Sequence, residues 1–121
     1  LLVLIWLVQL TIYPGFAYME HSSFKMWQEQ YMNRMGFVAG GLILSQTTLV
    51  GLQVWLTPSS TIYLTAAIVI LMWLITGFIS VPLHHKLIVS GHDAEVIRKL
   101  VQTNWLRTIG WSAIFFLGSG L

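Results

Sequence analysis

Arg107 is the residue most out of place in this chain. It sits within an apolar stretch, about 10 Å along a helix beyond Leu100. A cation in such surroundings is costly, so it faces a partner or water, or snorkels toward a polar boundary. Asn104, Arg107 and Trp111 share one helix face by i, i+3, i+7 spacing, and Thr108 adds a hydroxyl nearby. Two uses follow. The set can clamp helices by pairing with Glu20 or Glu29, or it can form a pocket for an anion or substrate. His84 would complete such a pocket, with Gln28 and Gln46 as further amide donors and acceptors. Gln9, Gln46 and Gln53 also stand in apolar stretches, where a cross-helix hydrogen bond contributes about 0.6–2 kcal/mol.

The histidines invite a metal or haem reading. His84, His85 and His92 can approach His21 at one end of a helical assembly. Adjacent residues on a helix diverge by about 100°, so His84 and His85 do not share one ion. No HxxxH, HExxH or ExxH pair occurs, and no metal and no resident cofactor are expected. A single histidine contacting a haem or (bacterio)chlorophyll of a neighbouring subunit is the open alternative. No nucleophile–base spacing and no glycine-rich phosphate loop is present. The absence of cysteine excludes disulfides, iron–sulfur ligation and thiolate chemistry.

The elements that position these residues follow from charge distribution. The six basic and four acidic residues, and all four histidines, fall in two windows, 20–34 and 84–107. The chain is 56% hydrophobic and only 8% charged, against about 25% charged in soluble domains. The mean hydropathy of +0.76 agrees. The expected fold is therefore all-α: a single integral membrane four-helix bundle spanning 1–121. A net charge of +2, without an extended basic face, argues against nucleic acid as a partner.

About 20 apolar residues cross the hydrocarbon as a helix. The predicted spans are 1–19, 36–56, 61–81 and 100–119. Pro14-Gly15 should kink the end of the first. Thr57-Pro58-Ser59-Ser60 is a turn, with Ser59 or Ser60 capping the third. The third should stop at Pro82. The fourth helix should begin near Asp93, whose acid suits a helix N-terminus. A signal peptide over 1–18 is disfavoured, because Tyr18-Met19-Glu20-His21 offers no small-residue cleavage site. Between helices one and two, Phe24, Trp27, Tyr31 and Met35 recur at helical spacing. This predicts a short amphipathic segment or an extension of helix two. Gly36, Gly40 and Gly41 permit close helix packing, with packing inside the chain favoured over a dimer seam.

Alternating spans put 20–35 and 82–99 on one face, with Lys25, Arg34, Lys86, Arg98 and Lys99. The positive-inside rule makes that face cytoplasmic and places both termini outside. Trp6, Trp55 and Tyr63 then fall near the uncharged face. Tyr18, Trp27, Tyr31, Phe37, Phe78 and Trp105 fall near the charged one, while Trp73 packs mid-span.

Val81-Pro82-Leu83-His84-x-x-Leu87, followed by Leu100-Val101-x-x-Asn104-Trp105-x-Arg107-Thr108-x-x-Trp111, resembles a family of small four-helix bacterial membrane proteins. Gln9…Tyr13-Pro14 and Trp73-x-x-Thr76 extend the likeness over most of the chain. That family is similar in layout to the DUF1772, or anthrone oxygenase-like, group. The resemblance implies four helices, a bacterial inner membrane location and a motif of His84, Asn104, Arg107 and Trp111. In the wider group acidic or histidine residues can occupy the positions of Gln28 and Gln46. Neutral amides there would weaken acid–base or metal chemistry and preserve hydrogen-bonded packing.

Two functions remain in view. The favoured one is a non-catalytic accessory or structural subunit of a larger respiratory or photosynthetic membrane complex, with lipid and other membrane subunits as partners. The alternative is a small oxygenase-like membrane enzyme with its pocket at the charged face. A haem or pigment binder is the weaker third.

Overall fold

Side-chain caps and one glycine set the helix boundaries. The computed structural model describes residues 1–119, which form four helices and no strand: α1 Leu2–Tyr18, α2 Phe24–Leu56, α3 Ser60–Ser90 and α4 Ala94–Ser119. Ser59 Oγ accepts from the Ile62 amide at 3.2 Å and starts α3. Asp93 Oδ1 accepts from the amides of Glu95 and Val96 at 3.0 and 3.3 Å and starts α4. Each cap pairs amides that the helix itself leaves open. Gly91 ends α3 at φ 80°, a left-handed conformation that favours glycine. A Cβ there would also lie 3.0 Å from Lys25 Cε, so α2 packs close against this turn.

Of the two readings of 24–35, the extension of helix two is the one observed: the stretch is no separate amphipathic segment but the first third of α2, a continuous 33-residue helix. No proline interrupts it, and at about 1.5 Å per residue it runs roughly 50 Å. Its inward face differs from expectation. Phe24, Gln28 and Tyr31 are buried, while Trp27 turns outward.

Contrary to expectation, Pro82 does not end α3. A π-turn over Thr76–Ser80 precedes it, just as one over Val8–Ile12 precedes Pro14 in α1. Proline lacks an N–H and crowds the carbonyl four residues back, here Phe78 and Leu10. A widened turn relieves that crowding and lets the helix continue. Past Pro14, α1 narrows to a 3-10 turn over Phe16–Tyr18.

α4 packs against α1 and α3, and α3 packs against α2. α1 and α2 are bridged by aromatic side chains rather than by close backbone packing. One buried cluster near the polar windows contains Phe16, Phe24, Leu87 and Leu100. A second contains Ile43, Val69, Met72, Trp111 and Ile114. Much of the outer surface is apolar; Phe37, Trp55 and Phe78 are 85%, 83% and 78% exposed. α2 and α3 are long and apolar enough to cross a membrane.

The aromatic assignment needs correction in three places. Trp6 and Trp105 do not mark opposite ends, since their rings meet edge-on at 5.9 Å and Trp6 Nε1 donates to Ser112 Oγ at 3.1 Å. α1 begins beside Trp111, well inside the length of α4, which brings the two tryptophans to one level. Tyr31 is buried rather than interfacial, and Trp73 is 41% exposed, its indole N–H donating to Thr47 Oγ1 at 2.9 Å.

Where α4 crosses α3, a Cβ on Gly110 would collide with the tip of Met72, whereas one on Gly51 would meet nothing within 4 Å. Gly110→Leu should therefore destabilise the fold by about 1–3 kcal/mol through overpacking. Gly51→Leu should not destabilise it. Thermal unfolding of both variants in detergent micelles checks the difference.

Candidate functional site

His84 follows Pro82 by two residues, so the continuation of α3 carries it into the interior, where it is 4% exposed. Its Nε2 lies 2.8 Å from the Tyr13 hydroxyl and its Nδ1 lies 3.3 Å from Gln28 Oε1. An amide oxygen only accepts, so Nδ1–H donates to Gln28 and Nε2 accepts from Tyr13. Aromatic rings enclose the imidazole. Tyr31 stacks on it at 5.6 Å, and Tyr13 and Phe16 meet it edge-on at 5.1 and 6.2 Å. The i, i+4, i+7 spacing of Phe24, Gln28 and Tyr31 aims all three at this box.

Arg107 extends the cluster into α4. Its guanidinium faces the Tyr13 hydroxyl, and Nη1 donates to Asn104 Oδ1 at 3.3 Å. Asn104 Nδ2 donates to Gln9 Oε1 at 3.0 Å, and Thr108 Oγ1 reaches the same oxygen at 3.3 Å. Gln9 Nε2 then donates to the Val101 carbonyl at 3.0 Å. A string of polar groups thus runs from Gln28 through His84, Tyr13, Arg107, Asn104 and Gln9 to the α4 backbone. All four helices contribute to it.

The structure brings together His84, Gln28, Asn104 and Arg107, with Trp111 one turn further along α4. It leaves out Glu20 and Gln46. Glu20 is exposed and lines an outer groove with Met19 and Trp27, because the loop after α1 turns it away from α4. Glu29 is exposed on α2. Neither neutralises Arg107. Among the described residues the one ion pair is Arg98–Glu95, at 4.0 Å on the surface of α4. Gln46 lies five turns beyond Gln28 and lines a separate small recess with Trp111 and Phe115. Gly36, Gly40 and Gly41 do not pack against another helix of this chain, since a Cβ on any of them would meet nothing within 4 Å.

The sequence reading missed Tyr13 and Tyr31 as partners of His84. The signal was present for Tyr31, three residues after Gln28 on one helical face. For Tyr13 the cue was its position four residues after Gln9.

His21 and His92 do not join His84. Their rings stack at 4.1 Å beside Phe24, and His85 is exposed. No group of three metal-ligating side chains occurs among the described residues. Both nitrogens of His84 are engaged, which leaves neither ready to ligate an ion or a haem iron. A cavity of about 40 Å³ adjoins the string, lined by Tyr13, Tyr31, Arg107 and Trp111 with aliphatic neighbours. Recesses of about 330 and 380 Å³ lie on the outer surface, with neither His84 nor Arg107 in their walls. Comparison with protein families, curated proteins and solved structures finds no match.

Gln9 makes three hydrogen bonds in the string. At about 0.5–1 kcal/mol net for each hydrogen bond, Gln9→Leu should cost about 2 kcal/mol. Gln46→Leu, outside the string, should change stability by less than about 0.5 kcal/mol. Unfolding in mixed micelles measures both.

Proposed function

We propose that this chain is a non-catalytic subunit: a membrane-embedded four-helix bundle that docks onto a larger membrane protein complex. The observation that carries the reading is the closure of the polar interior on itself. His84, Tyr13, Asn104, Gln9 and the Gln28 carbonyl oxygen hydrogen-bond to one another and to the backbone, while Gln28 Nε2 is buried without a partner. The enclosed space beside them, about 40 Å³, is far below the 300 Å³ or more of organic-substrate pockets. The oxygenase-like reading needs such a pocket at this place. Outward, α2 presents a long apolar face on which Gly36, Gly40 and Gly41 leave room for a close neighbour.

Mild solubilisation of native membranes followed by native electrophoresis tests the proposal. The chain should migrate with partner subunits, and Gly40→Leu on the outward face of α2 should release it with helicity intact. A monodisperse, unpartnered 13.7 kDa protein would refute it. A visible absorption band in the purified material would replace it with the haem or pigment reading.

The proposed location is the bacterial inner membrane, with 20–35 and 82–99 in the cytoplasm. The chain has no cysteine, so engineered ones report cleanly. In intact cells with a permeable outer membrane, Ser60→Cys should react with an impermeant maleimide and Lys86→Cys should not. The reverse pattern would invert the topology.

A further inference from the structure

We infer that the recess between α1 and α2, in front of Arg107, binds one monoanionic group of about carboxylate or halide size. Arg107 is 8% exposed, and no carboxylate reaches it among the described residues. A guanidinium carries five N–H donors. Here Nη1 meets Asn104, the group faces Tyr13, and Nε has no partner. An uncompensated buried cation is costly, more so in an apolar setting, and amide oxygens do not neutralise it.

The cavity beside it supplies the missing space. Its volume of about 40 Å³ suits one small group, and Arg107 is the sole charged side chain in its wall. Trp111, also in that wall, keeps a buried indole N–H without a partner. The Tyr31 phenol can donate as well. A buried cation in the wall, with no carboxylate opposite, selects an acceptor bearing negative charge. Water can fill the volume but leaves the charge unbalanced.

The remaining wall is aliphatic: Ile5 and Val8 from α1, Ala39 and Ile43 from α2. Because α1 and α2 meet through side chains rather than backbone, this side offers a path for an alkyl chain. The anion can therefore come from solution or from the head of a fatty acid lying between the two helices. Both present the same chemistry to Arg107.

The test uses the full chain in uncharged detergent micelles, at constant ionic strength set by a bulky sulfonate. Sodium bromide, sodium octanoate and methyl octanoate are titrated while the unfolding midpoint is followed. Saturable stabilisation by octanoate or bromide, and none by the ester, is expected. Stabilisation by octanoate alone assigns the fatty-acid source; stabilisation by both assigns a free anion. Arg107→Gln should weaken binding at least tenfold, and Arg107→Lys should retain part of it. Should Arg107→Gln fail to fold, Ala39→Leu decides, since it fills the recess without touching the polar string. It should lose binding tenfold or more with helicity unchanged. No saturable stabilisation of the wild type by either anion, or equal binding by Ala39→Leu, overturns the site. The result is independent of whether the chain is found with partner subunits.

Discussion

Pairing of polar groups inside an apolar interior is the constraint on which this structure rests. Leaving a buried amide, hydroxyl or imidazole unpaired costs more than a typical hydrogen bond contributes. Gln9, Tyr13, Gln28, His84, Asn104 and Arg107 come from all four helices, and their best partners are one another. Satisfying them fixes the rotation of each helix as well as its position. Apolar contact alone would tolerate many rotations, because aliphatic side chains of similar volume exchange at small cost.

The irregularities of the helices serve that pairing. Without the π-turn at Thr76–Ser80, Pro82 would end α3, and His84 would sit in a connecting loop instead of opposite Gln28 and Tyr13. The π-turn at Val8–Ile12 contains Gln9 itself and sets it against α4. The Asp93 cap and the Gly91 turn determine where α4 begins, and hence the height at which Asn104 and Arg107 meet α1. Local backbone departures from ideal helix thus concentrate where the polar string needs them.

A closed interior and an open exterior suggest different kinds of work. The interior has most of its polar string hydrogen-bonded and little room, which suits a scaffold. Unpartnered buried atoms remain on Gln28, Thr76 and His92, and at the Arg107–Trp111 corner, where a cation without a counter-ion adjoins a small recess. The exterior of α2 is apolar along most of its length, and its glycines face away from the chain's own helices.

Charge windows, caps and apolar runs made four helices legible in the sequence, because these features act within a few residues of one another. Ser59 and Asp93 cap as their residue types suggest, and Asn104, Arg107 and Thr108 share a neighbourhood because one helix carries them. Arg107 stood out for the same local reason, as a charge among apolar neighbours. The partners across helices were not legible. Glu20 and Gln46 looked as suitable as Tyr13 and Gln9, yet only the latter pair joins the polar string at Arg107 and Asn104. Which side chain meets Arg107 depends on the rotation and register of helices joined by some ninety residues of chain, as in the contact from Gln9 to Asn104. Even the run of α3 through Pro82 rests on contacts beyond its own sequence, since a proline inside a helix persists only where packing holds the turns on both sides.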